Sequence, residues 1–156
     1  MKITRQNLED KAQTGVEMKR LVLKYADDLD KIKVSRRGNI KKLTDFTLSE
    51  FFDFVRKIPY AIDDKPIEVV ARPLILIKNR DKGLDCKKKA ILMGAYFTKK
   101  KMWPWRFIAS SKRLDGKIHH VFPQIYIAGK WKNADATYND YQLYQPKPDC
   151  TKAEIL

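Results

Sequence analysis

Leu48, Phe51, Phe52, Val55 and Ile58 recur at spacings of three and four along "TLSEFFDFVRKIPY", which predicts an amphipathic helix. Thr47 and Glu50 form a capping box at its start. Pro59 stops it. A second helix begins in "GLDCKKKAILMGAYF", residues 83–97, where Cys86, Ala90, Met93 and Phe97 lie along one face. The lysines at 99–101 end that helix in accord with its dipole. Residues 7–33 predict a further helix with a ragged stripe of Leu8, Ala12, Val16, Leu23 and Tyr25. Asn7 would cap it, with Asp10 three residues on, and Gly15 weakens it.

The later part of the chain alternates differently. "WRFIASS" (105–111) predicts a strand, and residues 119–138 predict a hairpin around Ala128-Gly129. Pro123 inside the first arm implies an edge position or a bulge. "IEVVARPLILI" (67–77) is open between strand and extended loop, because Pro73 disfavours a central strand. "KVSRRGNIKK" (33–42) is expected to be a basic link, and "QPKPDCTKAEIL" a peripheral tail. Helices followed by antiparallel strands indicate an α+β fold. The expected organisation is an N-terminal helical arm with its basic link (1–45), a core (46–138) and a C-terminal tail (139–156).

Composition sharpens this in three ways. The chain has 156 residues, 44% of them hydrophobic, which suits one domain with a real core. Its net charge of +14 attracts polyanions: an acidic protein surface, nucleic acid or anionic lipid. A solvated lysine surface accounts for the same number. Cys86 and Cys150 make no disulfide framework, and His119 and His120 are the only histidines, with no CxxC; no metal and no cofactor are expected. No run reaches the roughly 18 apolar residues of a membrane span, and the N-terminus lacks a signal-peptide core. The expectation is no membrane and a cytoplasmic protein with free thiols. "KKKMWPWRF" (99–107) reads either as a stacking surface for single-stranded nucleic acid or as a helix-to-strand turn with Trp105 in the core, and the turn is preferred. "YNDYQLYQ" (138–145) reads as an interface strip or as a cover for the core.

The chemistry centres on Cys86. The first turn of a helix offers unpaired N–H groups and a favourable dipole for a thiolate, and Lys87, Lys88 and Lys89 add positive charge. A cysteine nucleophile needs a base, and the base an orienting acid. In a hairpin with a two- or four-residue loop, His120 faces Thr137, and Asp135 is its diagonal neighbour on the same face. His119 then points to the other face; an odd loop would reverse the choice.

The order Cys at a helix start, His at a strand start and Asp on the next strand resembles the transglutaminase-like superfamily of papain-like cysteine enzymes. Its members resemble the pattern G-D-C, then G-x-P-x-R, then H-V/A-aromatic, then W followed by D-x-T. This chain offers "GLDCKKKA" (83–90), "MWPWRFI" (102–108), "HHVF" (119–122) and "WKNADATY" (131–138). Upstream, "FDFVRKIPYAIDDKP" (52–66) looks like the lead-in of bacterial members. The resemblance spans roughly residues 48–138 and implies a transglutaminase-like core, with the Cys helix packed on an antiparallel sheet. It implies Cys86 as nucleophile, His120 as general base and acid, and Asp135 as orienting acid. The implied reaction is acyl transfer on amide bonds through a thioester, in a cysteine peptidase or amidase acting on a protein or peptide. The Cys86 backbone N–H would be one oxyanion donor. The sequence departs from the pattern at Leu84, between the Gly and Asp85, at Pro123, and at Ala136 in place of the usual Pro. Lysines follow Cys86 where acidic or small residues often stand in bacterial members, which implies a preference for acidic partners. The superfamily also has inactive members, so a non-enzymatic assembly component, such as a minor protein of a phage virion contacting DNA or neighbouring subunits, is the alternative expectation.

Overall fold

The computed structural model describes residues 3–6, 11–62, 68–111, 120–148, 150 and 152–156. In chain order the elements are β1 (Ile3–Gln6), α1 (Lys11–Tyr25), β2 (Lys33–Arg36), β3 (Asn39–Lys42), α2 (Leu48–Arg56), β4 (Glu68–Ala71), α3 (Pro73–Lys78), α4 (Cys86–Lys99), β5 (Trp105–Ser111), β6 (His120–Ile127), β7 (Lys130–Asn133) and β8 (Lys152–Ile155). The fold is α+β, with antiparallel sheets. The main sheet runs β7-β6-β5-β8, and two small ribbons pair β1 with β4 and β2 with β3.

Helix α4 is the centre of the molecule. Every residue from Ala90 to Phe97 is buried, so the single apolar face expected from the sequence has become an all-round contact. The sheet lies on one side, and α1 and α2 on others. Gly94 permits the close approach to the sheet, since a Cβ there would come within 3.2 Å of the rings of both Trp105 and Phe107. Trp105 is core, and its Nε1–H donates to Thr98 Oγ1 across the helix-to-strand turn. Burying this helix against three neighbours is the largest hydrophobic contribution to the fold.

Helix α2 starts as its sequence dictates. Thr47 Oγ1 accepts from Glu50 N at 3.2 Å, and Thr47 N donates back to Glu50 Oε1 at 3.0 Å. Four other expectations change. The helix expected over 7–33 is α1, followed by a 3-10 turn over Ala26–Lys31. Asp28 causes that turn, by accepting from the Arg72 guanidinium and from Leu74 N. The proposed cap at Asn7 and Asp10 lies outside the described residues. The basic link is a hairpin whose turn residues Arg37 and Gly38 both have positive φ, the geometry a two-residue turn requires. In the ambiguous stretch, β4 gives way to α3, with Pro73 at the first helical position, where its missing N–H costs nothing. The tail supplies β8, which pairs along β5, and Lys19 Nζ donates to the Leu156 carbonyl.

Residues from the whole chain share one hydrophobic cluster, including Met18 and Leu21 near the start and, packed against it, Leu143 and Leu156 near the end. Among the described residues no helix is long and apolar enough to cross a membrane.

Candidate active site

The site forms where the start of α4 meets the start of β6. Asp85 is the N-cap of α4, its carboxylate accepting from Lys88 N at 3.0 Å, which places Cys86 in the first turn. The approach to that turn is tightly determined. Gly83 has φ +86°, and a Cβ there would lie 2.6 Å from the Ala61 Cβ and 3.1 Å from the Pro59 carbonyl. Leu84, the residue inserted between Gly and Asp, is buried and bridges to Tyr60, with Leu84 N donating to the Pro59 carbonyl at 2.8 Å. Leu84 thus pins the turn that carries Cys86 to the segment that follows α2.

The hairpin register expected from the sequence holds at the turn, but the β6–β7 ladder ends before it reaches His120. The two-residue turn at Ala128-Gly129 sets Ile127 opposite Lys130 and Gln124 opposite Asn133. The ladder stops there. Pro123 is neither on a sheet edge nor in a bulge: it sits in β6, between β5 and the end of β7. Its carbonyl accepts from Ala134 N at 2.9 Å, so its nitrogen faces that same side, where β7 ends. Having no N–H to offer, Pro123 falls where the neighbouring chain leaves the sheet. Beyond the bond from Ala134 the chain leaves the ladder, and the buried Asp135 meets His120.

His120 Nε2 and Asp135 Oδ2 are 2.6 Å apart, both side chains buried. The Cys86 side chain lies within electrostatic reach of His120. With Nε2 held by the carboxylate, Nδ1 is the nitrogen left for the thiol. Burial opposes the imidazolium, but Asp135 and Cys86 outweigh it and push His120 up to about 9. Burial likewise opposes the Asp135 carboxylate, yet His120 and Lys147 hold it down at about 2. Thr137 completes the carboxylate's partners: its N–H and its hydroxyl donate to Asp135 Oδ1 at 3.1 and 2.5 Å. This is an Asx turn, and it gives the D-x-T spacing a physical meaning.

Cys86, His120 and Asp135 therefore converge as the sequence suggested, while His119 lies outside the described residues. Four further residues surround the site in ways that the sequence reading did not assign. Lys147, from the presumed peripheral tail, reaches Asp135 Oδ2 at 2.6 Å and packs over Phe122 and Tyr141. Lys89 is buried rather than solvated, and donates to the carbonyls of Ile58 at 2.5 Å and Thr137 at 2.8 Å. Burial pushes its ammonium down to about 8 against the pull of Asp135. Lys89 thus ties the end of α2 to the Asp135 turn. Tyr60 and Tyr138 have ring centroids 4.9 Å apart, and burial, Tyr138 and the charge of nearby Cys86 push the Tyr60 phenol up. The position of Lys89, three residues after Cys86 on a helix, was a usable signal. Lys147 carried none.

Among the described residues no group of three or more His, Cys, Asp or Glu side chains is placed to hold a metal ion. What the arrangement can do is transfer a proton between a thiol and an imidazole whose orientation a carboxylate fixes. No family model, curated protein or solved structure matches this chain.

Proposed function

We propose that the protein is a thiol-dependent acyl-transfer enzyme of transglutaminase-like fold, acting as a cysteine peptidase or amidase. The observation that carries this reading is one imidazole held at 2.6 Å by a buried carboxylate and lying within electrostatic reach of the helix-start thiol. The chain order of Cys86, His120 and Asp135, on a helix, a strand and the segment after the next strand, supports the fold.

The Cys86 proton passes to His120, and the sulfur attacks the amide carbonyl carbon. A C–S bond forms, and the oxygen takes the negative charge beside the Cys86 backbone N–H. As the C–N bond breaks, His120 returns the proton to the leaving amine. Water then attacks the thioester, giving one proton to His120, and the carboxylic acid departs as that proton returns to sulfur. Asp135 holds the ring so that Nδ1 faces the thiol throughout.

A second reading, an inactive scaffold of the same fold, is favoured by the burial of Cys86, which is only 6% exposed. Iodoacetamide labelling separates the two, with Cys150 changed to Ser throughout. The enzyme reading expects fast labelling of Cys86 that falls about tenfold or more in His120→Ala. Equal, slow labelling in both proteins would establish the scaffold.

A further inference from the structure

Two openings in the surface share lining residues at the segment joining α2 to the turn before Cys86. The first, about 480 Å³, lies between the β2–β3 turn, the end of α2 and the turn at residues 80–82. Four cations line it: Arg36, Arg37, Lys57 and Arg80. Two of them are engaged, Arg36 with Glu50 at 3.2 Å and Lys57 with Asp53 at 2.9 Å. Arg37 and Arg80 have no carboxylate partner among the described residues; Arg80 donates to the Ile77 carbonyl and lies over the Phe54 ring. The second opening, about 430 Å³, shares Lys57, Ile58 and Pro59 with the first. It continues to Tyr60, Tyr138 and Lys89, and Tyr60 lies within electrostatic reach of Cys86. The two openings share a wall, and a path along it would run from two guanidinium groups without a carboxylate partner, past Lys57, to the Tyr60–Tyr138 pair.

We propose that this path is the substrate channel, and that it takes an acidic peptide segment whose carboxylates meet Arg37 and Arg80 while its backbone passes Pro59 and Tyr60 towards Cys86. The proposal rests on the acyl-transfer reading for the thiol end and on the cavity's own lining for the basic end. Guanidinium groups pair carboxylates through two parallel N–H donors. The apolar surfaces of Phe54 and Ile58 between the charges suit a chain of mixed side chains. Asp53 and Asp81 also face the groove. They would repel a continuous run of phosphates, but can accept from peptide N–H groups, which favours a peptide over a nucleic acid.

The test uses a fluorescein-labelled peptide of alternating glutamate and glycine, with the Cys86→Ser protein at fixed salt, read by fluorescence anisotropy. The Arg37→Glu/Arg80→Glu double variant should weaken binding about tenfold or more. Lys24→Glu/Lys130→Glu changes the net charge equally, away from the groove, and should weaken it less than about twofold. In protein that keeps Cys86, with Cys150 changed to Ser, saturating peptide should slow iodoacetamide labelling at least fivefold. Equal weakening in both double variants would reduce the groove to a share of the overall positive field. Tighter binding of an oligothymidylate that displaces the peptide would make it a nucleic-acid groove. Groove-dependent binding without protection of the thiol would separate it from the substrate path. Labelling that does not depend on His120 would sink the enzyme reading alone, and groove-dependent peptide binding would then stand by itself as an acidic-peptide site.

Discussion

Asp28 and Asp135 are both sealed inside the protein, and each gathers several donors. Asp28 takes the Arg72 guanidinium, Leu74 N and, at 3.6 Å, Lys31. Asp135 takes His120, Lys147 and both donors of Thr137. Burial works against both carboxylates, and in both the partners win, holding them below the usual range. The difference lies in the partner. Arg72 never gives up its proton, so Asp28 is a fixed staple joining the turn after α1 to the start of α3. His120 can give up its proton, and a thiol lies within its electrostatic reach. A buried, saturated carboxylate is thus not a site in itself; it becomes one when the group it orients can change charge against a reactive atom.

The comparison breaks most visibly if the two aspartates respond alike to removal. Asp28→Ala strands a guanidinium and should cost about 2–4 kcal/mol in urea unfolding, while leaving the Cys86 labelling rate of the folded protein within about twofold. A matching fall in labelling would show that the staple also serves the site.

Asp135→Asn should do the reverse. Labelling should slow about tenfold or more as the imidazole loses its orienting anion, with a stability cost of about 1–3 kcal/mol. An unchanged rate with a large loss of stability would make Asp135 a second staple.

The pH dependence of stability sharpens the contrast. His120 is raised from 6.5 to about 9, so its contribution is complete below about pH 6.5 and is lost as pH rises through about 9. Asp135 is lowered from 3.8 to about 2, so its contribution is complete above about pH 4 and is lost as pH falls through about 2. The stability gap between the parent and Asp135→Asn should therefore be widest between about pH 4 and 6.5 and narrow by pH 9. The gap for Asp28→Ala should persist at pH 9, because Arg72 does not titrate there. Denaturation curves at pH 5, 7 and 9 decide between these patterns.

The smallest effect belongs to Lys147→Met. Losing this cation removes competition for Asp135 Oδ2, so His120 should titrate higher, by less than about one pH unit. NMR titration of the His120 ring would show the shift, and a downward movement would contradict the assigned electrostatics.

Much of this site was legible in the chain. The capping box at Thr47, the helix start at Cys86, and the two-residue turn that sets the register of β6 and β7 are local rules acting over a few residues. The hairpin register followed from the turn alone. Less legible were elements whose form is set from a distance. Asp28 ends α1 because of Arg72, 44 residues away. Pro73 opens a helix rather than closing a strand, and the tail becomes β8 because β5 has a free edge.

The sequence by itself determined which residues could do chemistry and the order in which they come. Periodicity and capping act between neighbours, so they are written in adjacent letters. Tertiary structure alone decided that Lys89 is buried and Lys147 completes the acid, that Pro123 falls where β7 departs, and that Arg37 and Arg80 line one opening. These are matters of which side chains the packed core leaves no water to solvate. A lysine reads the same in sequence whether it faces solvent or three carbonyls, and only the closed fold chooses between them.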